Sequence, residues 1–517
     1  MPRTNRYALF LSLLAILAAY FVAERVFERI PHLEDEMAYV WQARVYARGQ
    51  VTVPSPPHPK SMMVPFVVDY NGHRFAKYPP GWPVVLAFGI LLGARAWVNP
   101  ALAGLGIWLT YRLGQKIFGS GAGLLAAFLT LTSPFFLLNS GSLLAHPWSL
   151  VLSAAFALAW LDTFESNRRG ERKEHGETTI ISAGSAFSAV KRVPRWLTTL
   201  VAGLTLGTLA LTRPLTAIGV GLPFSIHGLI LLWRGDWAVR RRVLFIGAIA
   251  IAVGALILLW QYAVTGDPFI NPYTLWWSYD KVGFGPGFGR QSEGHNLYWA
   301  WRNLEVSLEA GGRDFFGWGG FSWVFLPAGL WAMRRNRPAW LTSAVFVNLA
   351  GIYMLYWIVV GPLGPRYYYE GLYSLTLVSA AGILWLADWA KGKNWRKARS
   401  LIVALLLALL VGYNLFSYLP ARLRGMRGLY GVERADLQPF LTQEAQALAP
   451  ALIVVHIQET WTDYGALLDL QDPWLTSLFI FALSNGPKAD SALQDDYPER
   501  QLYHYYPNKP DKFYTSP

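Results

Sequence analysis

The sequence predicts an all-α polytopic membrane protein of about eleven transmembrane helices, with interfacial helices besides, followed by a small α/β domain. Three observations carry this. Of 517 residues, 53% are hydrophobic and only 15% charged, where a soluble domain carries about a quarter. The apolar residues fall into long uncharged runs, and the basic residues cluster between alternate runs. The same figures exclude other classes. A chain with 15% aromatic residues, 24 of them Trp, does not stay solvated as a disordered polymer. A formal charge of +13 lodged between apolar runs marks membrane orientation and predicts no nucleic-acid partner. Cysteine is absent, which removes disulfides and thiolate metal sites.

Runs free of charge, but for Asp388 near one end, occur at 7–23, 96–111, 122–139, 147–161, 196–212, 215–233, 243–262, 319–333, 340–360, 371–389 and 400–419. The first lacks a small-x-small cleavage pattern and reads as an uncleaved anchor. Setting the N-terminus inside puts 23 of the 45 Lys+Arg on 75 inner residues and 22 on 245 outer ones, a roughly threefold density bias in the positive-inside direction. The inner segments, including 162–195 and 390–399, then hold a net +17, and the rest of the chain −4. The run 83–93 is too short to span and would invert the alternation downstream; it predicts a helix at the outer interface. Large outer pieces follow at 24–95, 263–318 and 420–517, and their aromatic content points to chemistry on that face. The expected setting is the plasma membrane, with a cytoplasmic N-terminus, a transmembrane domain over 1–420 and an extracytoplasmic domain over 421–517.

The first outer piece opens with Glu34-Asp35-Glu36 ahead of an expected helix over about 33–48. Asp35, Tyr39, Gln42 and Tyr46 share one face of it, and Met37, Trp41 and Val45 another, so the second face is expected in lipid and the first toward a cavity. Adjacent carboxylates raise at least one pKa, which suits a general base or a cation site; acids at a helix N-terminus also serve the dipole alone. The piece ends in Lys77-Tyr78-Pro79-Pro80-Gly81-Trp82-Pro83, a turn into the short helix, with Lys77 placed to meet an anion or to snorkel.

The piece 263–318 carries Trp276, Trp277, Tyr279 and Asp280, a glycine-rich stretch over 283–289, and His295. No strand precedes those glycines and no Lys-Ser/Thr follows, so they are not a nucleotide loop. Rings beside carboxylates bind sugars or form an interfacial belt. Between two late runs stand Arg366 and Tyr367, and an Arg there requires an anionic partner. His146 at another outer end is a ligand or a hydrogen-bonded structural group. In the tail, 435–447 predicts helix, and 452–457, 478–483 and 501–506 predict strands, with no catalytic constellation; Asp463, Asp472, Asp495 and Asp496 read as turn or surface residues.

The acidic pair after the first run, the Pro-Pro-Gly-x-Pro turn into a short helix, and the late outer Arg-Tyr together resemble the GT-C glycosyltransferases over roughly 7–420, among them the lipid A aminoarabinose transferases and protein O-mannosyltransferases. The resemblance implies a GT-C fold and transfer of a sugar from a polyprenyl-phosphate donor, at the extracytoplasmic face and with inversion, to a glycan, lipid or protein acceptor. It implies Asp35 as the catalytic acid position with Glu36 its partner, and Lys77 and Arg366 near the donor phosphate. Where several members carry a further acid, this chain has Ser140-Gly141-Ser142 and His146. Tyr39, Tyr367, Asp280, His295 and His146 complete the expected substrate-binding set. A divalent cation is allowed but not demanded, with Glu34, Glu36 and His146 as candidate ligands. Membrane lipids are the remaining partner.

The chemistry is consistent with these residues. A polyprenyl phosphate leaves readily, so transfer needs a base for the acceptor hydroxyl and positive charge for the departing phosphate. A glycan polymerase or ligase is the rival enzyme reading, using outer Arg and His without a carboxylate base. A lipid or oligosaccharide flippase predicts mid-span charges and internal repeats, whereas the runs here are nearly uncharged and no repeat is present.

Overall fold

The computed structural model describes residues 3–164, 194–358, 360–388, 393–458, 460–510 and 512–517. Much of the basic inner segment 162–195, and Lys391 of 390–399, lie outside these residues. Each apolar run is helical over most of its described length, because with no water to serve the backbone a helix satisfies every N–H and C=O internally. Seven helices among the described residues are long and apolar enough to cross a membrane, and eight if the bent pair Ser120–Leu131 and Pro134–Gly141 counts as one. The chain is a multi-pass helical membrane protein. The runs at 96–111, 196–212 and 319–333 are helical as well (Val98–Phe118, Arg195–Thr212 and Leu326–Met333) but fall short of that measure in length or apolarity.

The bent pair turns by 62°, and its cause is local. Pro134 has no N–H to continue the helix, Ser133 Oγ accepts from Phe136 N at 3.1 Å as the new N-cap, and the carbonyl freed at Thr132 accepts from Asn414 Nδ2 at 2.6 Å. The bend delivers the loop 142–146 to the site described below.

The first large loop folds onto one end of the bundle. Helix Glu34–Ala47 is followed by a three-stranded antiparallel sheet in the order Val53–Pro54, His73–Ala76, Val67–Tyr70. Its hairpin turns at Asn71-Gly72, both left-handed with φ of 51° and 77°, the pair that a tight two-residue turn favours. The expected short helix forms as Gly81–Leu91, with Phe88, Leu91 and Leu92 exposed. Gly81 is required there: a Cβ would lie 2.3 Å from Thr212 Oγ1 and 2.9 Å from the Leu211 backbone.

The tail forms a four-stranded sheet in the order Phe479–Leu483, Ala451–Val455, Gln501–Tyr505, Phe513–Tyr514, parallel except for the last pair. Its two most apolar strands are buried throughout, as strands covered on both faces must be. The helix expected over 435–447 is instead three short turns, 434–437, 438–441 and 443–446, because Pro439 restarts the helix and Thr442 caps it again.

One expectation is overturned. The Met37, Trp41 and Val45 face of helix Glu34–Ala47 is buried in protein, not lipid. Met37 packs beside Gly465 of the tail, and the Arg74 guanidinium lies 5.7 Å from the Trp41 ring. The docking is ionic at its centre: Asp469 accepts from Arg44 at 2.9 Å and from Arg95 at 2.6 and 2.9 Å, while Ser61 O accepts from Leu483 N at 2.7 Å. Asp469→Ala leaves two largely buried guanidiniums without their carboxylate, so thermal unfolding in detergent should show a loss of about 3 kcal/mol, against little change for the exposed Asp495→Ala.

Candidate functional site

The first loop, the loop after Thr265 and the late spans enclose a cavity of about 970 Å³. Asp35, Glu34, Tyr39, Lys77, Asp280, His146, His295, Arg366 and Tyr367 all line it; Glu36 does not. Asp35 and Arg366, 331 positions apart, are thus brought to one chamber.

Asp35 stands in the first turn of helix Glu34–Ala47. Its Oδ2 accepts from Arg366 at 3.1 Å, and its Oδ1 accepts a short bond from Tyr78 Oη. Burial alone would raise the Asp35 pKa; the Arg366 guanidinium, the Tyr78 hydroxyl and Lys77 outweigh it and hold the carboxyl below its ordinary value. Glu34 beside it is raised, first by burial and then by the Asp35 charge. The two acids therefore sit in opposite electrostatic settings one residue apart.

Lys77 follows strand His73–Ala76, and its ammonium donates to Asp280 at 3.1 Å. That ammonium lies 3.7 Å from the Phe66 ring centre and 4.5 Å from that of Trp277, a cation–π enclosure. Burial lowers the Lys77 pKa, opposed by Asp280 and Asp35. Asp280 also accepts from Tyr356 Oη at 2.7 Å and Trp357 Nε1 at 3.2 Å, so its oxygens are committed to positioning. His295 lines the cavity, but its Nε2 bonds the Met354 carbonyl at 2.9 Å.

Glu36 points away from the chamber. Its Oε2 accepts from the amides of His32 and Leu33 at 2.8 and 3.1 Å, and its Oε1 from Leu143 N at 2.7 Å. It caps its own helix and clamps the loop 142–146 delivered by the bend. Gln42 and Tyr46, expected toward the cavity, serve backbone and packing instead: Gln42 bonds Ala76 N and Val51 O, and Tyr46 Oη accepts from Trp260. His146 contacts the Arg213 guanidinium and lies 3.3 Å from Glu370. Glu34, Glu36 and His146 therefore do not converge as cation ligands: Glu36 is engaged by three amides and His146 faces a cation.

The sequence reading missed Arg213, the lone basic residue in the turn between helices Arg195–Thr212 and Pro214–Arg234. It donates to Glu370 at 3.0 Å and Tyr353 Oη at 3.1 Å. A cation in a one-residue break between two apolar runs was the available signal. Tyr78, Arg290 and Arg302 were missed as well. In all, five cationic side chains (Lys77, Arg213, Arg290, Arg302 and Arg366) and three carboxylates (Glu34, Asp35 and Asp280) line the cavity. The surplus is positive and suits an anionic ligand.

No family profile matches the sequence, and no curated protein matches it. Solved structures do. ArnT from Cupriavidus metallidurans, in a crystal structure bound to undecaprenyl phosphate, superposes on 96% of this chain and 89% of its own, with a TM-score of 0.52 at 16% identity. The archaeal oligosaccharyltransferase AglB from Archaeoglobus fulgidus, in complex with an inhibitory peptide and a dolichol-phosphate, matches over 92% of this chain and 64% of its own, with a TM-score of 0.51 at 15% identity. Both are GT-C membrane glycosyltransferases, and the likeness shows that this chain has their fold.

The capping role of Glu36 is open to measurement. Glu36→Ala orphans three buried amides and should cost about 3 kcal/mol in unfolding free energy, read as a lower Tm in detergent. An unchanged Tm would remove the clamp.

Proposed function

We propose that this chain is a membrane glycosyltransferase that moves a sugar from a polyprenyl-phosphate donor to an acceptor hydroxyl, with inversion and with Asp35 as general base. One observation carries the reading: a carboxylate held ionised stands in a single chamber with a surplus of cations. The ligands named with the two solved relatives, undecaprenyl phosphate and dolichol-phosphate, are of the donor class that such a chamber fits.

In the proposed step the acceptor oxygen attacks the anomeric carbon on the face opposite the phosphate. Its proton passes to Asp35, the carbon–oxygen bond to phosphate breaks, and the leaving oxygen takes the electron pair. Arg366 and Arg213 meet the developing charge, and Tyr78 and Arg366 hold the base in place. Lys77, fixed by Asp280, adds positive potential to the same chamber. Tyr39 and Tyr367 line the space between. Glu36 is assigned to positioning, through the helix that carries Asp35. The positive-inside bias orients the chamber and the tail away from the cytoplasm.

Asp35→Asn should lower kcat by about 10²- to 10⁴-fold while leaving undecaprenyl phosphate binding in place; full activity in a folded variant would sink the base assignment. Arg366→Ala should weaken undecaprenyl phosphate binding about tenfold or more, and unchanged affinity would remove its phosphate role. Because the wild-type Asp35 pKa is held low, its protonation should place no acid limb on kcat between about pH 5 and 8. Arg366→Ala, which removes the charge that offsets burial, should move such a limb upward toward that window.

A further inference from the structure

The tail, read from sequence as having no catalytic constellation, holds a cluster that the proposed transfer reaction does not use. His456, Asp490 and His504 converge with one ligand atom each, all within 4.8 Å of one another. His456 Nε2 and His504 Nδ1 are 2.8 Å apart. The three residues arrive by separate routes: His456 directly follows strand Ala451–Val455, His504 lies in strand Gln501–Tyr505, and Asp490 sits on helix Pro487–Asp496. Val454 and His504 are register partners in the parallel pair, which sets the two histidines side by side at the carboxyl ends of the strands. In open parallel sheets that edge is where ligands bind.

We infer that His456, Asp490 and His504 form a binding site for a divalent cation of the zinc type, which clasps the carboxyl edge of the tail sheet. The donor set, two imidazole nitrogens and one carboxylate oxygen, is the kind that zinc accepts with a fourth position left to water. Tetrahedral ligation with bonds of about 2.0–2.1 Å separates ligand atoms by about 3.3 Å, a spacing that the two imidazoles, now 2.8 Å apart, reach by opening slightly. Asp490 and His504 are buried, and His456 is part exposed, which supplies an entry path. Ligation takes both imidazoles in their neutral form.

The surrounding contacts are those of a supported site. Ser484 Oγ donates to Asp490 Oδ2 at 2.7 Å and Asn485 N to Oδ1 at 3.1 Å, which orients the carboxylate. The His456 ring stacks on Tyr506 at 4.4 Å and 11°. Asn485 also donates to Ser61 Oγ at 2.9 Å, so the clasp adjoins the seam between tail and first loop. The chain has no cysteine, and no other group of three His, Asp or Glu among the described residues meets this geometry.

The test uses the full chain in detergent, free of any polyhistidine tag and stripped with a chelator. Zinc is titrated by calorimetry, and cobalt by its visible absorption. The expected result is one equivalent bound, the tetrahedral cobalt spectrum, and at least a tenfold loss of affinity in His456→Ala and in His504→Ala. Glu34→Gln in the cavity should bind the metal as the wild type does. Should His504→Ala fail to fold, His456→Gln at the more exposed position carries the decision. The inference is overturned by a wild type that binds no metal, by affinity unchanged in the His456 variants, or by binding lost in Glu34→Gln instead. Its failure leaves the transferase reading untouched, since that reading is tested by Asp35→Asn.

Discussion

A charge at the boundary of an apolar bundle is costly until it meets an opposite charge, and this requirement organises the protein. The ion pair between Asp35 and Arg366 joins the first loop to the start of a late span, 331 residues away. Lys77 and Asp280 repeat the device over 203 residues, and Arg213 and Glu370 over 157. Asp469 does it a fourth time at the docking seam of the tail. Each pair closes a long excursion of chain; the first three stand at the cavity, and the fourth docks the tail.

These pairs differ in how far their groups are committed. Asp280 has three donors and Glu36 three amides, so neither has much left to offer a ligand. Asp35 is held by Tyr78 and Arg366 yet still lines the cavity, and its Arg366 partner is of a kind that also pairs with phosphate. A site built this way carries its positive potential before any donor arrives, so little reorganisation is needed when charge develops.

Much of the bundle was legible because its physics is local. A long uncharged run in lipid must be helical, and every such run is helical over most of its described length. The strands of the tail were legible for the same reason, as short apolar runs between turn residues. The hairpin at Asn71-Gly72 carried a readable signal that was passed over, and it is what sets Lys77 in position. The reading failed where a face had to be assigned to a partner. Met37, Trp41 and Val45 look the same in sequence whether they meet lipid or protein.

The sequence by itself determined that the chain crosses a membrane several times, and which residue types are gathered near its boundary, because both follow from composition and spacing along the chain. Only the tertiary structure decided that Glu34 and Asp35 face the cavity and Glu36 does not. Successive residues on a helix point about 100° apart, so Glu34, Asp35 and Glu36 diverge, and only packing says which direction is open. It also decided that Arg213 joins the site and that two tail histidines, 48 positions apart, touch. Contacts between distant segments depend on how the chain closes, which no local pattern records.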